Sequence, residues 1–320
     1  MLSSPCVIIV GMIIPIILAI LAAIFYAATN HIDKYLISKA VKNADYRALI
    51  LVSTIIAGGV MAIIYLFICN FQLAFDIPSI LLLLFNSALY TVANIFWFKA
   101  LDRDDTTIVV IMFQLIPVFM LLLSPLVLRD QYINPLQLVG GLLITLAAVF
   151  LTYEPTHKKF NKEKLTTLAI MAFVSLAYAI WFIVERYINQ EHDFNQTILW
   201  SNITLFVVGI LIFIFIKSFR KSFSKMLKTN GPIVIGLNLV NEMLNSFGGV
   251  FSTFAGTIAS VALVSFVTQG VQPFAVMLMG LIITKLFPKV EKEKITKGDI
   301  IKRVITIIIC VVGLGFIEFG

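Results

Sequence analysis

Apolar and polar positions are segregated along this chain into long apolar runs separated by short polar connections. Runs of twenty residues or more recur at intervals of about thirty, and about 20 residues are what a helix needs to cross the hydrocarbon of a bilayer. Bounding each run by charge, Pro and Gly predicts helices near 7–30, 46–69, 77–98, 106–128, 133–153, 165–188, 196–218, 232–255, 258–286 and 300–319. A transmembrane β-barrel would instead show alternating segments of about ten residues. The expected fold is therefore all-α, a polytopic membrane protein of ten transmembrane helices. No connection has room for a soluble domain, and only the basic links 31–45, 154–164, 217–231 and 287–299 project appreciably. Function is expected inside the membrane.

Composition agrees. Apolar residues make up 60% of the 320 residues and charged residues 13%, against about 45–50% and about 25% in soluble domains. The net charge of +7 does not point to nucleic acid, because Lys and Arg sit almost entirely in the connections, where they orient helices. The expected macromolecular surroundings are the lipid bilayer, with no nucleic-acid partner. All of the 24 Lys and Arg except Arg129 and Arg186 fall in or beside the links after predicted helices 1, 3, 5, 7 and 9. Those links should face the cytoplasm of a bacterial plasma membrane, with both termini outside. The first positive side chain is Lys34, so helix 1 lacks a basic leader and should be retained. Cys6, Cys69 and Cys310 are dispersed and read as packing residues, so no metal or cofactor is expected.

The chain also matches itself. Tyr26-Ala27 followed six residues later by Lys34-Tyr35 parallels Tyr178-Ala179 followed by Arg186-Tyr187, with Asp33 and Glu185 preceding the basic residue. Phe98 and Ile116-Pro117 parallel Phe254 and Gln272-Pro273 at nearly the same offset. Interfacial anchoring by Tyr, Lys and Arg would account for single matches, whereas the series points to two five-helix halves, 1–156 and 157–320. Because five is odd, the halves should be inverted in the membrane, as in many transporters.

The stretch Phe98-Lys99-Ala100-Leu101, Thr106-Thr107, Pro117-Val118-Phe119, Arg129-Asp130 and Gly140-Gly141 resembles the repeat of EamA-type members of the drug/metabolite transporter superfamily. The resemblance implies ten helices and alternating-access transport of amino acids, amines, nucleotide-linked sugars or drugs. Two departures stand out. The family usually has Glu after helix 4, where this chain has Arg129-Asp130, and the second half has Lys285 with no acid. The family also usually keeps both termini in the cytoplasm, opposite to the charge count, which is followed here.

A polar side chain in mid-span is costly and usually faces a bundle interior or aqueous cavity. Asn238, Asn241, Glu242, Asn245, Gly249 and Ser252 recur every three or four residues and form one stripe on predicted helix 8, with Glu242 near its middle. Asn86, Tyr90, Asn94 and Trp97 form a counterpart on helix 3. Gln114 precedes Pro117, and Thr268, Gln269 and Gln272 precede Pro273, where a missing N–H frees a carbonyl for a hinge or a ligand. Tyr178 and Trp181, with Tyr26 and Asn30, would supply aromatic and polar walls suited to an organic cation. Each has a plainer reading: protonated Glu242 as glue with its Asn neighbours, proline kinks alone, aromatic anchoring or core packing. Asp33-Lys34 and Glu185-Arg186 read as solvated pairs at helix ends, and His31, His157 and His192 as residues at or beyond helix ends.

The expected substrate-binding set is thus Glu242, Asn238, Asn241, Asn245, Asn94, Tyr90, Trp97, Gln114, Gln269, Gln272, Tyr178 and Trp181. The expected activity is secondary transport of a small organic metabolite or cation, amino-acid-like or amine-like. Burial penalises the charged carboxylate, so proton and substrate would compete at Glu242. The alternatives are a non-transporting scaffold, and an intramembrane lipid-modifying enzyme for which no nucleophile–base pair is evident. No Walker A motif is present. Homodimerisation is left open.

Overall fold

The computed structural model describes all residues except 1–4, 41–44, 74–75, 129–133, 151–152, 155–158, 259–260, 287–295 and 320. Almost all of the described chain is helical. The helices are α1 (Pro5–Tyr35), α2 (Tyr46–Leu51), α3 (Gly58–Ile68), α4 (Ile77–Arg103), α5 (Thr106–Phe113), α6 (Ile116–Leu128), α7 (Pro135–Phe150), α8 (Lys162–Ile188), α9 (Phe194–Phe215), α10 (Lys217–Ile258), α11 (Val261–Leu286) and α12 (Lys297–Phe319). Two π-helical stretches, Leu36–Ala40 and Val52–Ala57, extend α1 and join α2 to α3. Among the described residues nine helical spans are long and apolar enough to cross a membrane, and α7 is a shorter apolar helix. At 1.5 Å per residue α7 is about 24 Å long, under the thickness of about 30 Å of a typical hydrocarbon core.

Helix starts follow local chemistry. Asp76 caps α4 by accepting the Ser79 backbone N–H at 3.0 Å, with a Pro in the first turn where a missing N–H does no harm. The Ser79 hydroxyl and then its backbone N–H hold the Asp76 carboxyl below the ordinary carboxylate range. Asn161 and Asp193 cap α8 and α9 in the same way. Thr296 and Asp299 bond reciprocally ahead of α12, the Thr296 N–H to Asp299 at 2.9 Å and the Asp299 N–H to the Thr296 hydroxyl at 3.2 Å.

Four predicted boundaries are corrected. Helix 1 does not stop at residue 30 but runs through Tyr35 and the π turn to Ala40. The predicted helix 106–128 is broken at Gln114-Leu115, one turn before Pro117, whose ring lacks the N–H that would bond the Phe113 carbonyl. By contrast, α11 continues through Pro273. Tyr153, expected as the last residue of a helix, instead forms with Glu154 a short strand antiparallel to Lys159–Phe160; Glu154 precedes Pro155, which disfavours helix at that position. The link 217–231 is not a loop: it forms the first part of α10, which breaks at Asn230 (φ −138, ψ 23) before Gly231-Pro232.

In the bundle, α1 packs chiefly on α10 and α11, α4 on α8, α3 on α9 and α7 on α12. Leu126, Phe215, Ile77 and many other large apolar residues are exposed, as the lipid-facing side of a membrane bundle requires. Cross-links identify the two ends. At one, Lys34 Nζ donates to the Asp104 carbonyl at 2.9 Å and also to that of Leu101, Ser222 donates to Asp45 at 2.9 Å, and Arg303 pairs with Asp105. At the other, His192 meets Asp76 at 2.7 Å and Gln196 donates to the Gln72 carbonyl at 2.9 Å.

Candidate functional site

The polar stripe of α10 meets α1 inside the bundle. Asn241 Nδ2 donates to Asp33 Oδ1 at 2.7 Å, and the Trp97 indole N–H from α4 donates to Asp33 Oδ2 at 2.9 Å. Asp33 is therefore not the solvated end of a helix, and Lys34 is not its partner. Lys34 instead donates to the last carbonyls of α4, where a cation also offsets the negative end of the helix dipole. Glu242 bonds the Ser53 hydroxyl, which also accepts from Asn238 Nδ2 at 2.9 Å, and the Glu242 carboxylate lies within electrostatic reach of Asp33. Ser53 belongs to the π-helical stretch Val52–Ala57, and such stretches concentrate at functional sites.

Aromatic rings form one side of this acid pair. Tyr90 on α4 lies 5.6 Å from Tyr178 and 5.8 Å from Trp181, both on α8, measured between ring centroids. Phe113, at the end of α5, joins Trp97 at 5.1 Å to Tyr178 at 5.0 Å. The Tyr178 hydroxyl donates to Asn94 Oδ1 at 3.3 Å, and both Tyr90 and Tyr178 lie within electrostatic reach of Asp33 and Glu242. Among the described residues no Lys, Arg or His pairs with either carboxylate. Buried polar atoms around the pair also lack partners: Asn238 Oδ1, Asn241 Oδ1, Asn30 Nδ2 and Asn86 Oδ1.

Of the expected residues, the structure thus brings together Glu242, Asn238, Asn241, Asn94, Tyr90, Trp97, Tyr178 and Trp181. Asn245 is exposed. Gln114 and Gln272 are buried and Gln269 half-buried, and among the described residues none of the three bonds an acid of the pair. Tyr26 packs over Gly248, where an added Cβ would lie 2.8 Å from Tyr26 Cε1.

Asp33, Ser53 and Phe113 escaped the sequence reading. Tyr26, Asn30 and Asp33 share one helical face at spacings of four and three, so a signal for Asp33 existed once helix 1 was allowed another turn. Ser53 has no such signal, being a lone hydroxyl in an apolar run. Two further expectations are corrected. Glu185 is in the last turn of α8, as expected, but is not merely solvated, since it accepts from the Ser201 hydroxyl at 3.1 Å; His31 is buried within α1, its Nε2 2.9 Å from the Val276 carbonyl oxygen. Arg129-Asp130 lies outside the described residues.

A cavity of about 430 Å³ opens at the basic end, lined by Ile37, Asp45, Tyr46, Phe98, Lys99, Asp102 and Arg103, and contains none of the expected residues.

A bundle of apolar spans with a polar interior is a form shared by channels, carriers and membrane enzymes, so geometry alone leaves the class open. The sequence comparison narrows it. Residues 13–153 match the EamA-like transporter family. The resemblance read from the Phe98–Gly141 motifs therefore holds over that stretch, which is similar to this family of the drug/metabolite transporter superfamily, and the apolar spans make the chain an integral membrane protein. A solved structure recorded as "Crystal structure of protein" is similar over 94% of this chain and 98% of its own, at 14% identity and a TM-score of 0.56. That likeness concerns fold alone. No curated protein matches the sequence.

Proposed function

We propose that this protein is a secondary transporter of a small organic cation, with an ammonium group held between Asp33 and Glu242 and against the Tyr90, Trp97, Tyr178 and Trp181 rings. The observation that carries this reading is the meeting of two carboxylates from α1 and α10 with, among the described residues, no cationic side chain paired to either. One charged carboxylate at mid-membrane costs about 2.5–3.5 kcal/mol on insertion scales, and two facing each other also repel. A proton or a bound cation relieves both penalties. Proton and substrate then exchange at one site, which couples their fluxes. The aromatic faces add cation–π attraction, about 2 kcal/mol or more where water is excluded.

In this reading the halves 1–156 and 157–320 form an inverted pair of five-helix repeats that rock about the site in alternating access. The Gln114-Leu115 break and the break at Asn230 would serve as flexing points. The protein would reside in a plasma membrane with the basic end in the cytoplasm.

Counterflow in proteoliposomes against a panel of amines, amino acids and nucleotide-linked sugars tests the reading. Amine counterflow that is lost in both Asp33→Asn and Glu242→Gln is expected. Transport confined to anionic or neutral solutes, unchanged in both variants, would overturn it, and no transport in any arm would favour a scaffold held together by the Asn–Asp bonds.

A further inference from the structure

The first part of α10, residues 217–229, has two faces that do different things. Phe219, Ser222 and Met226 are buried against the bundle end, and the Phe223 ring lies edge-on to Phe213 at 6.1 Å. Lys217, Lys221, Lys225 and Lys228 fall within about 80° of one another on the opposite face, at 100° per residue, and all four are exposed. Among the described residues none of the four pairs with a carboxylate, and the segment itself contains no acid.

The segment cannot leave the membrane surface. Ile216 alone separates it from α9, and Arg220 turns back to donate to the Phe213 and Ile214 carbonyls at 3.3 and 3.1 Å. Phe215, Ile216 and Leu227 beside it are exposed apolar residues at the edge of the hydrocarbon. A cationic row fixed at this depth faces the phosphate layer of the bilayer. We propose that residues 217–229 form a docking helix for anionic phospholipid headgroups.

The same segment holds both acid-bearing helices. Asn230 Nδ2 donates to the Ala40 carbonyl at 3.0 Å, at the end of the helix carrying Asp33, and Ser222 bonds Asp45 at 2.9 Å just beyond it. After the break at Asn230 the chain continues directly into the helix carrying Glu242, twelve residues or about 18 Å further. Headgroups engaged on the lysine row thus bear on the positions of both carboxylates. Lipid binding itself does not depend on the transport reading, so the two can fail separately.

The test is binding of a short-chain phosphatidylglycerol to the purified full-length protein in a neutral detergent, with phosphatidylcholine, inorganic phosphate and an acidic peptide as parallel probes. A juxtamembrane Lys near an anionic surface contributes about fivefold in affinity. Lys221→Gln should therefore weaken phosphatidylglycerol binding several-fold, and K217Q/K221Q/K225Q/K228Q by well over tenfold, with an unchanged melting temperature in phosphatidylcholine. High salt should weaken wild-type binding likewise, which keeps the test decisive if the quadruple variant does not fold. Equal phosphatidylglycerol affinity in wild type and variants would overturn the proposal. So would displacement by inorganic phosphate at similar concentration, or tighter binding of the acidic peptide than of the lipid.

Discussion

Asn241 and Asp33 are joined by a 2.7 Å hydrogen bond from the amide nitrogen to the carboxylate, across the contact between α10 and α1. The bond fixes which acid faces Glu242, and with Trp97 it leaves Asp33 oriented from two sides. Donors from two other helices, Trp97 of α4 and Asn241 of α10, thereby share the one carboxylate of α1.

Removing that donor should therefore harm both stability and substrate binding. Asn241→Leu leaves the half-buried Asp33 carboxylate short of one partner, a loss of about 1–3 kcal/mol. A lower melting temperature of the purified protein and a weaker amine affinity are expected. Asn241→Asp, which places a third acid at the site, should be worse still unless the pH is low. A Leu variant as stable and as tight as wild type would show that the bond serves neither purpose.

How far the sequence anticipated this site depends on what each residue's neighbours reveal. Asn238, Asn241 and Glu242 were legible because a polar stripe at helical spacing is conspicuous in an apolar helix. Asp33 was hidden by a boundary: Lys34 resembled an interfacial anchor, and only the structure shows it donating to the α4 carbonyls from within a continuing helix. The meeting of Ser53 with Asn238, residues 185 positions apart, has no local signature at all. The apolar runs mark the nine spans and the shorter α7 found among the described residues, yet the basic link 217–231 reads as a loop because Lys and Arg outnumber its apolar residues. Its buried face is only Phe219, Ser222, Phe223 and Met226, a narrow stripe that becomes visible as helical once the bundle end packs against it.

The neighbouring glycines of α7 should respond unequally to an added methyl. A Cβ at Gly140 would overlap the Gly313 carbonyl of α12 and lie 2.9 Å from Phe316 Cβ, so Gly140→Ala must push two backbones apart. Overpacking of this kind costs about 1–3 kcal/mol. At Gly141 the added methyl meets Val118 Cγ1 at 3.5 Å, an ordinary contact. Thermal unfolding should show a clear loss for Gly140→Ala and little change for Gly141→Ala. Similar losses in both would mean that the α7–α12 approach is not as tight as described.

Orientation is open to labelling, and the structure dictates where. Ser222 is buried and bonded to Asp45, so a thiol there would react slowly on either side of the membrane. Ser224 is exposed on the same helix. In a background lacking native Cys, Ser224→Cys should resist an impermeant maleimide in intact cells and react in inverted vesicles. Rapid labelling in intact cells would put the basic end outside and both termini in the cytoplasm.

The acid pair supplies the strictest prediction, because conservative amides separate charge from shape. Asp33→Asn keeps volume, one acceptor oxygen for Asn241 or Trp97 and the fold; Glu242→Gln likewise keeps a partner for Ser53. If the two carboxylates hold one cation or proton between them, either amide leaves a single acid. Proton-driven flux in proteoliposomes under an imposed pH gradient should then fall by at least about tenfold in each, the scale of one lost charged partner at 1.4 kcal/mol. The double variant should be scarcely worse than either single one, since residues acting as a unit are not additive. If the acids act independently, the losses should multiply. If they are glue, all three variants should transport with the wild-type pH dependence, and recognition would pass to neutral groups such as Asn94, Gln114 and Gln269. Asp33→Ala and Glu242→Ala serve as packing controls: a melting temperature lowered in these but not in the amides ties any lost flux in the amides to charge.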